Sequence, residues 1–126
     1  MERRNIASGS PYEPIFGFSR AVRVGQDVFV AGTAPEMPEG DELPPDAYGQ
    51  TKRCLEIIVA ALAEAGAAPE HVVRTRIFAT HAEDFEEVAR AHGAVFGDVR
   101  PACTYVITQL IDPRWRVEIE AEALIA

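Results

Sequence analysis

The chain has 126 residues, 48% hydrophobic and 25% charged, which is one globular domain's worth of ordinary composition and excludes a disordered chain. Twelve Lys and Arg against twenty Asp and Glu leave a formal net charge of −8, which argues against a nucleic-acid binder working by phosphate neutralisation and against docking on anionic lipid. No apolar run approaches the roughly 20 residues that cross a bilayer, and Met1-Glu2-Arg3-Arg4-Asn5 is not followed by the apolar stretch of a secretory signal, so a cytoplasmic location is expected.

A short strand is expected over residues 3–7, followed by a loop rich in Ser, Gly and Pro over residues 8–17. Ala21-Val22-Arg23-Val24 and Val28-Phe29-Val30-Ala31, separated by the turn signal Gly25-Gln26-Asp27, read as a hairpin. Gly32 through Asp46 holds Pro35, Pro38, Pro44 and Pro45 with five acids, so neither helix nor central strand can pass through it. Asp46 is placed to cap a helix whose buried stripe is Leu55, Ile58, Val59 and Leu62 and whose end is marked by Gly66.

Val72–Ala79 is rich in β-branched residues and reads as a strand. Thr80-x-x-Glu83 has the spacing of a capping box and opens a second helix with the apolar face Phe85, Val88, His92, Val95 and Phe96, ended by Gly97. Ala102–Thr108 is a further strand. The last strand alternates cleanly, with Val117, Ile119, Ala121 and Ala123 against Glu118, Glu120 and Glu122, so one face packs and at least one acid on the other needs a partner.

The order β-β-β-α-β-α-β-β predicts a single α+β domain over 1–126, a layer sandwich in which two helices cover one face of a mixed sheet. The strand–helix–strand crossovers predict parallel pairs with right-handed connections. Two helices cannot cover both faces, and the apolar content of the other face, with Phe29 and Tyr105 assigned to it, favours a second subunit over water.

Few residues suggest chemistry on their own. His71, His81 and His92 lack metal-ligand spacing, and no phosphate-binding glycine motif or GxSxG elbow occurs, so no metal is expected and phosphate cradling has no support in the sequence. His92 reads as a packed, hydrogen-bonded histidine. Cys54 and Cys103 are too far apart to form a CxxC pair and read as free, buried thiols. Arg74 and Arg76 share a strand face, where they either form an anion site or pair with the acids of the last strand. Arg100, held before Pro101, either offers its fork to a carboxylate or is an exposed charge.

Taken in order, these segments resemble the reactive intermediate deaminase (Rid/YjgF) family. Phe18-Ser19-Arg20-Ala21-Val22-Arg23-Val24-Gly25 is similar to the family's aromatic-Ser-x-Ala-Val-x-Val-Gly entry into the first hairpin, and Phe29-Val30-Ala31-Gly32 to its strand ending in Gly. The helix through Thr51–Gly66, Val72-Val73-Arg74-Thr75, Asp84-Phe85, Arg100-Pro101-Ala102 and Val117-Glu118-Ile119-Glu120-Ala121 complete the match over nearly the whole chain.

The resemblance implies a chorismate-mutase-like fold and a homotrimer with small-molecule sites in the clefts between subunits. It also implies cofactor-free hydrolysis of imines and enamines to a keto acid and ammonia. The family's water-positioning Glu matches Glu118. Its carboxylate-binding Arg matches Cys103, its cleft Tyr matches Phe18, and an Asn on its second helix matches Ala89, which marks a divergent subgroup. The expected site therefore comprises Glu118 as the catalytic residue with Phe18, Arg100, Cys103 and Tyr105 lining the pocket. Arg20, Arg74 and Arg76 of a neighbouring subunit are further candidates for the missing cation. The alternative is a non-catalytic ligand- or partner-binding protein; a ribonuclease, another label in this family, is the reading least compatible with the net charge.

Overall fold

The computed structural model describes residues 1–126. Its strands are β1 (Arg3–Ile6), β2 (Ala21–Val24), β3 (Asp27–Thr33), β4 (Val72–Ala79), β5 (Ala102–Ile107) and β6 (Val117–Leu124); its helices are α1 (Ala47–Glu64) and α2 (Phe85–Phe96). The segment 34–46 has no regular structure, as its prolines dictate.

α1 begins where the Asp46 carboxylate accepts a hydrogen bond from the Gly49 amide at 2.7 Å. It ends at Gly66, whose φ of +85° is a left-handed conformation that favours glycine. Leu55, Ile58 and Leu62 are buried on one stripe as their spacing requires, while Val59 is only partly covered. The start of α2 departs from expectation. The Thr80–Glu83 capping box does not form; Thr80 instead closes the end of the sheet, its amide donating to the Arg116 carbonyl at 3.1 Å, and a 3-10 turn over Ala82–Asp84 leads into the helix. Phe85 is exposed rather than buried, because it lies at the start of α2 beside the outermost strand. His92 does sit packed, its Nε2 within 2.9 Å of the buried Thr75 hydroxyl, and burial lowers its pKa.

The six strands form one sheet in the order β1-β2-β3-β6-β4-β5. Only β4 and β5 pair in parallel; every other pair is antiparallel. The β3–α1–β4 crossover therefore joins strands of like direction that are not neighbours, since β6 enters between them. Val28, Val30, Thr75, Ile77, Ile119 and Ala121 face the helices and are buried with Leu55, Ile58, Leu62, Val88 and Phe96. Phe29, Arg74, Arg76, Phe78 and the three glutamates of β6 face the other way and are wholly or partly exposed. Tyr105 does not join them. Its register partner is Ile77, on the helix side, and its ring packs edge-on against Phe85 at 5.1 Å between centroids.

Two irregularities shape the middle of the sheet. Between Val30 and Thr33, β3 carries one residue more than the facing stretch of β6, a bulge that contains Ala31 and Gly32. A similar shift at Val73 lets β4 keep Arg74 and Arg76 opposite Glu122 and Glu120.

Candidate functional site

The three glutamates on the open face of β6 differ in what surrounds them. Arg76 Nη1 lies between Glu120 Oε1 at 2.9 Å and Glu122 Oε1 at 3.0 Å, and Arg74 Nε lies 3.9 Å from Glu122 Oε2. Partly exposed pairs of this kind contribute little stability, but they spend the charges of both arginines. Of the two readings of Arg74 and Arg76, pairing with the last strand is therefore the one observed.

Glu118 has no ionic partner in the chain. It is half-buried where β6 enters the sheet, with Phe78 opposite on β4 and the bulge of β3 on its other side. Burial raises its pKa, the positive charge of Arg20 opposes that rise, and the negative charges of Glu120 and Glu36 add to it. A carboxyl group set between solvent and core with a raised pKa is a stronger proton acceptor, once ionised, than an ordinary exposed glutamate.

Gly32 makes room for this carboxyl group. A Cβ placed on Gly32 would stand 2.5 Å from Glu118 Oε2, closer than van der Waals contact allows, so the side chain lies directly over the glycine. Gly32→Ala should displace the Glu118 carboxyl with little effect on folding, because the atom that must give way is the end of a flexible side chain. We expect any Glu118-dependent turnover to fall about tenfold or more, in line with the sensitivity of catalysis to a misplacement of about 1 Å, while the melting temperature stays near that of the wild type. Unchanged turnover in Gly32→Ala would show that this packing does not position the acid.

The same glycine also holds Arg20. The Arg20 Nη2 donates to the Gly32 carbonyl at 3.1 Å, and the Nε is buried without a partner. Of the candidate cations Arg20, Arg74 and Arg76, the last two are ion-paired with the acids of β6 and Arg20 is not. Arg53 donates to the Glu36 carbonyl at 2.6 Å and pairs with Glu56.

The other predicted site residues do not gather around Glu118 within one chain. Cys103 and Tyr105 stand on β5, separated from β6 by the whole of β4, about 10 Å across the sheet. They belong to the helix-side register, opposite to that of Glu118. Cys103 is exposed rather than buried, because β5 is the edge strand of the sheet, and the Tyr105 hydroxyl is buried without a hydrogen-bond partner. Arg100 lies past the end of α2 with a left-handed φ of 55°, and its Nε donates back to the Gly97 carbonyl at 3.3 Å. Phe18 lies before β2, across β3 from Glu118, and its ring meets Phe16 edge-on. No group of three His, Cys, Asp or Glu side chains converges to hold a metal ion. Cys54 is sealed in the core with its thiol pKa pushed far up by burial, which makes it a packing residue.

An apolar groove of about 480 Å³ lies away from Glu118, between α1 and α2, and is lined by residues such as Leu55, Val59, Ala91 and Val95. No helix is long and apolar enough to cross a membrane.

Comparison with known proteins agrees with this architecture. The model of the family described as Endoribonuclease L-PSP matches residues 9–125. An uncharacterized protein of Streptomyces coelicolor is 45% identical over 95% of this chain and 90% of its own. The 2-iminobutanoate/2-iminopropanoate deaminase of Escherichia coli is 26% identical over 96% of this chain and 97% of its own. A crystal structure from Mycobacterium tuberculosis, of a member of the YjgF/YER057c/UK114 family, superposes with a TM-score of 0.90 at 41% identity, covering 98% of this chain and all of that one.

Proposed function

This chain belongs to the Rid/YjgF family, and from that premise we propose that it is a small-molecule enzyme that hydrolyses imines or enamines at Glu118, in clefts completed by neighbouring subunits of a homotrimer. The observation that carries this reading is the unpaired, half-buried Glu118 carboxyl lying over Gly32. No cofactor or metal enters the proposed step, and the cytoplasm is the proposed location.

The chemistry follows from the carboxylate. Glu118 accepts a hydrogen bond from a water molecule and takes its proton as the oxygen adds to the carbon of a protonated imine, giving a carbinolamine. The proton then passes to the nitrogen, the C–N bond breaks, and a carbonyl compound and ammonia leave. One water is consumed for each ammonia released, and no oxidant or reductant is required.

The scattered positions of Phe18, Arg100, Cys103 and Tyr105 fit a pocket assembled from more than one chain. Both faces of β5 are largely exposed, with Ile107 at 50% and Val106 at 40%, and Phe29 and Leu124 leave further apolar surface on the open face of the sheet. Apolar area of this kind supports burial against further copies. A net charge of −8 disfavours RNA, a polyanion, as the substrate.

The test is ammonia release from 2-iminopropionate generated in the assay, alongside the mass of the protein in solution. Catalysed release by a particle of three chains is expected. No acceleration over the buffer reaction would leave the non-catalytic binding alternative, and a monomeric mass would remove the shared cleft.

A further inference from the structure

We propose that Arg20 is the anion-recognising residue of the Glu118 site, gripping the carboxylate of a small 2-imino acid while Glu118 handles the water. This deepens the reading given above and rests on it. In the family resemblance Arg20 occupies the variable position of aromatic-Ser-x-Ala, so the assignment comes from this chain's own geometry.

Three observations carry it. Arg20 is anchored on Gly32, the residue over which the Glu118 carboxyl lies, so one stretch of backbone fixes cation and acid together. Arg20 has donors to spare. Of its five N–H bonds one is spent on a carbonyl, it forms no ion pair, and its Nη1 makes no hydrogen bond to the protein. The other ten arginines are engaged away from Gly32. Arg53, Arg74, Arg76, Arg114 and Arg116 are ion-paired, Arg100 is turned back onto the end of α2, and Arg3, Arg4, Arg23 and Arg90, though not ion-paired, contact Asn5, the Glu64 carbonyl, the Gly25 and Ala65 carbonyls and the Tyr48 ring. An arginine that is half-buried, held at its Nη2 and free of a counter-ion is already oriented for a carboxylate, with less side-chain freedom left to lose on binding.

Proximity without pairing is the telling feature. Arg20 bonds to the Gly32 carbonyl and the Glu118 carboxyl lies over the same residue, yet the two do not close an ion pair. A closed pair would cancel both groups. Held apart on one glycine, they leave the guanidinium for the substrate's anionic end and the carboxylate for the water that attacks the adjacent carbon. The 2-imino acids have this spacing, since their carboxylate is bonded directly to the imine carbon. Cys103, which cannot form a bidentate bond to a carboxylate, is not needed for this task.

The experiment measures binding separately from turnover. The probe is the product-like 2-oxobutanoate, with uncharged 2-butanone as the control. Arg20→Gln should weaken 2-oxobutanoate about 10- to 100-fold, as expected for loss of a charge-assisted hydrogen bond, and leave 2-butanone unchanged. In the wild-type protein labelled with ¹⁵N-arginine, the Arg20 side-chain resonances should move on addition of 2-oxobutanoate and stay in place with 2-butanone. That measurement needs no variant to fold. Equal affinity of folded Arg20→Gln and wild type for 2-oxobutanoate, or Arg20 resonances that ignore it, would overturn the assignment. Arg20-dependent binding of 2-oxobutanoate by a protein that hydrolyses no imine would retain the anion site and overturn only the hydrolytic reading.

Discussion

Glu118→Gln should lower the hydrolysis of 2-iminopropionate by about 10²-fold or more while making the protein more stable at pH 7. The first effect is the usual scale for removing a positioned general base. Glutamine keeps the size of the side chain and its contact with Gly32 but cannot take the proton from water. The second effect follows from the sign of the pKa shift. Burial raises the Glu118 pKa in the folded protein. The folded state therefore binds the proton more tightly than the unfolded chain, and stability is lost as pH rises through the window from the unfolded value, about 4.3, to the raised folded one. As pH rises towards 7 the wild type bears a growing cost for ionising the half-buried acid, and the glutamine variant bears none.

Thermal melts at pH 7 and pH 3.5 would separate these effects, with the difference between variant and wild type shrinking at the lower pH. In the wild type, turnover should decline on acidification through a midpoint above that of an ordinary glutamate. A variant that is both inactive and less stable at pH 7 would indicate a structural acid with a partner rather than a reserved base.

The largest loss of stability is expected from Arg116→Ala. Arg116 forms a two-pronged pair with Asp84, Nε to Oδ2 at 2.7 Å and Nη2 to Oδ1 at 3.0 Å. Asp84 is only 4% exposed, so removing its partner strands a buried carboxylate, at a cost of about 3–5 kcal/mol. For a domain of this size that is a fall of roughly 10–15 °C in melting temperature. The mirror change, Asp84→Ala, should cost less, because the Arg116 side chain is 31% exposed and can turn to water. Urea unfolding of both variants at one protein concentration would show the asymmetry; equal costs, or an Arg116→Ala cost under about 1 kcal/mol, would refute it. The pair joins the 3-10 turn that leads into α2 to the residue that precedes β6, so it also fixes where Glu118 enters the sheet.

Local signals in the sequence carried most of the fold. The alternation of β6, the Asp46 cap and the stripe Leu55, Ile58 and Leu62 each have a short-range cause, and each is found in place. Pairing choices were less legible. Alternation says which residues of β6 are buried but not which strands it lies between, and its entry between β3 and β4 is decided by tertiary packing. Thr80 shows the same competition in miniature, since a residue with capping chemistry was drawn to the Arg116 carbonyl instead.

Glu118 could be read because period-two spacing put it on the open face. The part played by Gly32 could not, because an extra residue in β3 changes what lies opposite what, and no periodicity announces it. Tyr105 went to the helix side for a related reason. Both faces of β5 carry apolar residues, so its pattern does not fix an orientation, and pairing with β4 sets it.

The central place of β6 bears on how the molecule is made. It is the last strand in chain order, yet it stands between β3 and β4 and is the only strand that joins the hairpin half of the sheet to the β4–β5 half. During synthesis the first five strands can emerge and the two helices can form while the sheet remains in two pieces, each presenting a raw inner edge. Closure then requires contacts across long stretches of sequence, the kind that slow folding. A nascent chain stalled before residue 117 would thus be an aggregation hazard, and the Arg116–Asp84 clasp would be among the first contacts available to draw the missing strand into the gap.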